Sequence, residues 1–218
     1  MKRSLRLVVG PEAKRFDFSA GRGFSLGMWR DLNFSLKSLP KRVWRSSLPD
    51  RCRMQRMDPL ENPGIPMLRH AVATLAYRAA KTLRGTPPGF EHFRAAPTTR
   101  SAAQILAHIG DLLEWARRAA DGETDWHESR PDSWEKEVAR FFAALKAFDD
   151  RLATQVAPAS SPQRLFQGPI ADAFTHIGQL ATLRRMIGSG VRPENYFRAQ
   201  IIAGRVGMEQ APPVQEFD

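Results

Sequence analysis

Three residues of this 218-residue chain have the types and the spacing of metal ligands. Asp172 and His176 are four residues apart, so on a helix they project from one face with their Cβ atoms about 6 Å apart. His108 lies between Ile105 and Leu112, on the apolar side of an earlier helical segment. Two imidazoles and one carboxylate suit Zn, Fe, Ni or Mn and leave coordination positions open for water or substrate. The spacing therefore indicates a divalent-metal site formed by His108, Asp172 and His176.

The same residues also have a purely structural interpretation, and spacing alone leaves both open. A histidine on an apolar helix face is commonly a hydrogen-bonded core residue, and an Asp-x-x-x-His spacing also arises by chance. The HExxH motif is absent, because His127-Glu128 is followed by Ser129, and the paired ExxH motifs of di-iron bundles are absent too. Of the remaining histidines, His92 and His127 are predicted to lie at the surface, and His70 is predicted to cap or pack near a helix start.

The elements that must position these residues are helices. Apolar residues recur at three- and four-residue spacing in four segments, with no strand series and no repeat. Thr98 or Thr99 is the predicted N-cap of the second segment and Ser129 that of the third, while Pro169 is predicted to start the fourth. The pattern predicts an all-α fold, a bundle of four amphipathic helices. The predicted spans are about 66–85, 101–120, 131–152 and 169–188.

The positive charge of the chain is confined to its first quarter. Residues 1–56 hold 14 Lys/Arg and 4 Asp/Glu, which accounts for the whole net charge of +10. This segment has no sustained helical or strand period, and a nucleic-acid-binding arm and an organelle transit segment are the two functional alternatives. The preferred prediction is a disordered or mis-annotated extension, with the folded domain covering residues 57–218 from Met57 onward. Nucleic-acid binding by the neutral remainder is not expected.

Cysteine content and hydropathy limit the class of protein further. A single cysteine, Cys52, excludes an intrachain disulfide and a cysteine-based zinc module. No apolar run approaches the roughly 20 residues that a membrane-spanning helix needs, and no secretory apolar region follows the basic start. The sequence predicts a cytoplasmic protein without a membrane segment.

Two local strings resemble the DinB/YfiT-like superfamily of metalloenzymes. Residues 102–109, Ala-Ala-Gln-Ile-Leu-Ala-His-Ile, resemble the second helix of that family with its histidine ligand. Residues 175–180, Thr-His-Ile-Gly-Gln-Leu, resemble the His-Arg-Gly-Gln-Leu end of the HxxxH motif on its last helix. The likeness covers about residues 65–190. It implies a four-helix bundle of DinB/YfiT-like type, often a homodimer, in which three ligands converge on one divalent metal.

The resemblance carries two of the ligands over directly and changes the third. His108 and His176 match family histidines, whereas the first histidine of HxxxH falls on Asp172. An oxygen donor at that position biases the site from Zn toward Fe, Mn or Ni, although Zn, Ni, Fe and Mn are not distinguishable from the sequence. Alternatively, the change marks a degenerate site.

Characterised members of the family imply a function. They are thiol-dependent transferases and isomerases that use a divalent metal with a low-molecular-weight thiol. The leading prediction is therefore a divalent-metal-dependent enzyme, of the S-transferase or hydrolase type, acting on a small electrophilic substrate. The alternative is a non-catalytic dimeric helical bundle that has lost the metal site. Secondary candidates are Gln179 as a partner of metal-bound water, Arg184 and Arg185 as an attractor of an anionic cosubstrate, and Asn195 with Tyr196 as a lid.

Overall fold

The computed structural model describes residues 64–218, and the predictions for residues 1–56 lie outside this part of the chain. The described residues are helical, with no strand and with one isolated bridge between Glu194 and Glu216. The all-α prediction is confirmed for them. The helices are α1 (Gly64–Leu83), α2 (Ala102–Ala120), α3 (Trp134–Leu152), the short α4 (Pro162–Leu165) and α5 (Ala171–Met186).

A reciprocal capping box begins α2. The Ser101 hydroxyl accepts a hydrogen bond from the backbone N–H of Gln104, and the Gln104 side chain accepts one from the backbone N–H of Ser101. The predicted caps, Thr98 and Thr99, are therefore wrong by two or three residues. Thr99 instead closes the preceding turn, since its hydroxyl bonds to the backbone of Ala96.

Ser133 rather than Ser129 caps α3. The Ser133 side chain accepts a hydrogen bond from the backbone N–H of Lys136. The backbone N–H of Ser129 donates to the buried carboxylate of Asp111 on α2 at 2.9 Å. This bond ties the segment before α3 to α2 as a loop, and for that reason the helix begins later than predicted.

The fourth predicted helix begins earlier than expected and is interrupted. Ser161 caps α4, and a single π-helical turn, Phe166–Ile170, then leads into α5. Pro169 lies inside that turn, not at a helix start. Because proline lacks the N–H that an α-helical turn needs, the wider turn accommodates it. The turn ends two residues before Asp172 and therefore determines where on α5 the face with Asp172 and His176 begins.

The apolar faces of α1, α2, α3 and α5 meet in one hydrophobic core. Most of the predicted apolar positions are buried in each of these helices, whereas Val138, Phe142, Phe174 and Ile187 are partly buried. Each large aliphatic side chain that is fully buried contributes about 1.5–3 kcal/mol relative to exposure. Fully buried examples from the four helices are Val72, Leu113, Leu145 and Leu180. The three predicted ligands lie at the edge of this core, on the side where α2 and α5 pack together.

The C-terminal segment, residues 187–218, folds along α1. The Tyr77 hydroxyl donates to Glu194 Oε1 at 2.7 Å. Lys81 Nζ contacts Glu194 at 2.8 Å and Glu216 at 2.7 Å. Glu194 has a fully buried side chain, so these contacts satisfy a carboxylate that would otherwise be costly to bury.

Buried Arg184 closes the C-terminal end of α1. Its guanidinium donates to the backbone carbonyls of Thr82 and Arg84 at 2.8 Å and of Gly85 at 3.0 Å. The side chain also bonds to Ser189. The prediction that Arg184 attracts an anionic cosubstrate is therefore wrong, because its donors are used inside the fold. Within residues 64–218, no helix is long and apolar enough to cross a membrane.

Candidate metal centre

Helices α2 and α5 bring the three predicted ligands together. His108 Nε2 lies 3.8 Å from Asp172 Oδ2, and His176 Nε2 lies 3.5 Å from Asp172 Oδ1. The two imidazole rings are nearly perpendicular, with centroids 4.9 Å apart. One ligand atom from each residue lies within 4.8 Å of the other two. Among the described residues, this is the one group of three or more such side chains whose ligand atoms converge in this way.

His108 is held in a largely desolvated position. Its side chain is 17% exposed, and its Nδ1 is buried without a hydrogen-bond partner, so Nε2 is the nitrogen that faces Asp172. Burial lowers the pKa of His108, and the positive charge of Arg100 and the neighbouring His176 imidazole lower it further. A lowered pKa favours the neutral imidazole, which is the form that ligates a metal.

Gln179 fixes the tautomer of His176. Gln179 Oε1 lies 2.9 Å from His176 Nδ1, one turn along α5. Because a carbonyl oxygen only accepts, Nδ1 carries the proton and the lone pair of Nε2 faces Asp172. The predicted bond of Gln179 to metal-bound water stays a prediction, and the contact that the structure has is the one between its carbonyl oxygen and His176 Nδ1.

A buried ionic cluster forms the wall beside His108. Arg140 on α3 donates to Asp111 at 2.8 Å and to Glu137 at 3.1 Å, and both carboxylates are buried. Gly110 makes room for this crossing, since a Cβ there would lie 2.7 Å from the guanidinium carbon of Arg140. Asp111 also accepts the backbone N–H of Ser129. The cluster therefore joins α2, α3 and the connecting loop, residues 121–133, into one support for the site.

The connecting loop places an aromatic ring against His108. Trp126 contacts His108 with ring centroids 5.6 Å apart at 64°. Trp115 Nε1 donates to the carbonyl of Thr124, and Arg118 donates to that of Asp125, which holds the loop at this position. No pattern in the sequence indicates this contact, because a tryptophan between two helices shows no periodicity.

The centre adjoins three cavities and is open to solvent. Cavities of about 310, 640 and 550 Å³ are lined by His108, His176 and Asp172 respectively. The carboxylate of Asp172 is 47% exposed. Arg100 lines both the first and the second cavity, and this residue also escaped the sequence prediction.

The other candidate residues lie away from the centre. His70, His92 and His127 are exposed, as expected for the last two. Tyr196 packs edge-on against Tyr77 of α1, with ring centroids 6.3 Å apart. The prediction that the segment around Asn195 and Tyr196 forms a lid is wrong, because its contacts hold it on α1.

Comparison with protein families, with curated proteins and with solved structures finds no match to this chain. The function is therefore inferred from the geometry of His108, Asp172 and His176.

Proposed function

We propose that this protein is a divalent-metal-dependent enzyme of the DinB/YfiT-like type, built as a four-helix bundle with its metal between α2 and α5. His108, Asp172 and His176 are the proposed ligands. The observation that carries the proposal is the convergence of two imidazole nitrogens and one carboxylate from two separate helices. The resemblance of the two sequence strings that contain both histidines supports the same assignment.

The spacing of the ligand atoms fits a metal ion. Metal–nitrogen and metal–oxygen bonds of about 2.0–2.2 Å place tetrahedral ligands about 3.4 Å from one another. The distances from Asp172 to the two histidines, 3.8 and 3.5 Å, are close to this value. These distances run to different oxygens of Asp172, Oδ2 and Oδ1, so binding through one oxygen requires a rotation of this half-exposed carboxylate.

The protonation states also fit. His176 presents its Nε2 lone pair because Gln179 holds the proton on Nδ1. His108 is kept neutral chiefly by burial, which lowers its pKa. Asp172 contributes the single negative charge of the ligand set. An oxygen donor beside two nitrogens favours Fe, Mn or Ni over Zn compared with three histidines.

The proposed chemistry is transfer to or from a small electrophile. A bound divalent ion acts as a Lewis acid and lowers the pKa of a low-molecular-weight thiol or of water. The protein's contribution is positional: three side chains leave coordination positions open, and the adjoining cavities admit reactants from more than one side. This arrangement supports an S-transferase or a hydrolase.

The test is the metal content of the untagged, full-length protein. Mass spectrometry after reconstitution with Zn, Ni, Mn or Fe(II) should give close to stoichiometric metal for one of them in the wild type and none in His176→Ala. His70→Ala is the matched control, since His70 is exposed on α1, and it should keep the metal. A positive result then justifies a screen of thiol transfer and hydrolysis.

A wild type that takes up none of these metals would overturn the enzyme proposal. His108 and His176 would then be core-edge histidines, and the non-catalytic helical bundle would be the better interpretation. Light scattering would show whether that bundle is a dimer.

A further inference from the structure

The cavity beside His176, which we call the His176 cavity, has an apolar body and one cationic wall. Its volume is about 640 Å³, within the range of small-molecule sites. Ile105, Leu183 and Met186 supply apolar surface from α2 and α5. Among the described residues that line this cavity, Arg100 carries a positive charge and His176 is titratable. None of them has a carboxylate.

Arg100 has no partner within the described part of the chain. Its guanidinium makes no hydrogen bond and no ion pair there, whereas Arg140, Arg151 and Arg184 are each held by several acceptors. Arg100 nevertheless lies beside the candidate metal centre, since it lines both the cavity of about 310 Å³ next to His108 and the His176 cavity.

The other polar groups of the His176 cavity narrow the chemistry of the ligand. The hydroxyls of Thr99, Thr175 and Thr182 donate to backbone carbonyls of their own segments. Gln179 uses its carbonyl oxygen on His176, so its amide N–H groups stay available. The uncommitted side-chain donors are therefore the Arg100 guanidinium and the Gln179 amide. Both are suited to oxygens that carry negative charge.

We infer that the His176 cavity binds a small amphipathic acid, with its anionic oxygen group on Arg100 and its apolar body against Ile105, Leu183 and Met186. A carboxylate, phosphate or sulfonate meets this requirement, because a guanidinium donates two parallel hydrogen bonds to any of them. A cationic ligand is disfavoured by the absence of a lining carboxylate. The inference rests on the proposed function only in assigning this acid as a substrate, because its binding needs the cavity and not the metal.

The experiment is a ligand-observed NMR titration of full-length protein that has been freed of metal with a chelator. Hexanoate and hexyl phosphate are the anionic probes, and hexanamide is the neutral analogue of the same shape. Arg100→Gln is the test variant. Arg164→Gln is the matched control, since Arg164 is an exposed arginine on α4 that is not among the residues lining these cavities.

The wild type and Arg164→Gln should bind at least one anion saturably and hexanamide much more weakly. Arg100→Gln should bind the anion about 10- to 100-fold more weakly, the effect of losing a charged hydrogen-bond donor. Because the Arg100 side chain makes no hydrogen bond or ion pair within the described residues, the far-ultraviolet circular dichroism of the variant should be unchanged.

Three results with the metal-free protein would overturn the inference. One is equal affinity of Arg100→Gln and the wild type, and another is equal affinity of the wild type for hexanamide and hexanoate. The third is the absence of saturable binding of both anions up to about 10 mM. If anion binding appears only after metal is added and is insensitive to Arg100→Gln, the anion binds the metal and the proposed site is wrong. If the anion binds through Arg100 but no metal is taken up, this inference stands and the proposed function fails.

Discussion

His108 Nε2 on α2 lies 3.8 Å from Asp172 Oδ2 on α5, just beyond the reach of a hydrogen bond. Burial keeps the pKa of His108 low, so at neutral pH this contact is not an ion pair between fully charged groups. A neutral imidazole with one nitrogen facing a half-exposed carboxylate contributes little to stability through this contact alone. The spacing is instead what two ligands of one bound cation need.

Asp172 is the proposed ligand that differs from the histidine of the DinB/YfiT-like sequences that the chain resembles, so its substitution tests the ligand set. Asp172→Asn keeps the size of the side chain but removes the charge, and metal affinity should fall at least about 100-fold, more than loss of an outer partner causes. Asp172→His should retain metal and shift its preference toward Zn, because three imidazoles suit that ion. Competition with a chromophoric chelator measures both affinities.

Asp150→Asn is the control for this pair of variants, since Asp150 is an exposed carboxylate on α3 that pairs only with Lys146. It should bind metal as the wild type does. Wild-type affinity in Asp172→Asn would show that the carboxylate is not a ligand.

Gln179 should tune the affinity of the site without contacting the metal. Gln179→Ala removes the acceptor from His176 Nδ1, and affinity should fall about 10-fold or more. Gln179→Glu replaces the amide by a carboxylate, which makes the imidazole a stronger donor, and affinity should rise. The same chelator competition measures the order Glu, Gln, Ala. Gln163→Ala, at an exposed position on α4, should have no effect, and an unchanged affinity in Gln179→Ala would contradict the assigned tautomer.

The sequence predicted the helices because burial imposes a period on them. Leu113 and Leu180 lie on predicted stripes and are fully buried. The helix starts were less predictable, because several serines and threonines can cap and the choice depends on distant partners. Ser129 is unavailable as a cap since its backbone is held by Asp111, a contact between α2 and the loop that no local pattern reveals.

The candidate site was predictable only in part for the same reason. An i, i+4 spacing placed Asp172 and His176 together, and a position on an apolar face singled out His108. Loop packing determines two further features: Trp126 contacts His108, and Arg100 has no hydrogen-bond or ion-pair partner among the described residues. Both are therefore visible only in three dimensions. Arg184 illustrates the opposite error, since a basic residue near a helix end served packing and not a ligand.

Arg140 should be essential to stability because it neutralises two buried carboxylates. Arg140→Met leaves Asp111 and Glu137 buried without their partner, which should lower the free energy of unfolding by about 3–5 kcal/mol. Urea denaturation measures this change. The control is Lys136→Met, which breaks an exposed pair with Asp132 on the same side of α3 and should lower the stability far less, because an exposed ion pair contributes little. Equal losses in the two variants would contradict a stabilising role for the cluster.

Tyr77 should make the fold sensitive to alkaline pH. Burial raises the pKa of Tyr77, and the hydrogen bond to Glu194 raises it further. Since the folded state holds this proton more tightly than the unfolded chain, stability is full below the unfolded pKa of about 10 and falls as pH rises above it. Urea unfolding between about pH 8 and 11 should show this loss in the wild type.

Tyr77→Phe separates ionisation from packing. At neutral pH the variant should be less stable by about 1 kcal/mol, because one buried hydrogen bond is lost. Its stability should fall less steeply above pH 10, because phenylalanine has no proton to lose, so the two curves should converge. Tyr196→Phe is the matched control, since it removes the other tyrosine hydroxyl of the chain and should keep the steep fall. If the stabilities of Tyr77→Phe and of the wild type fall in parallel above pH 10, ionisation of Tyr77 is not the cause of the loss.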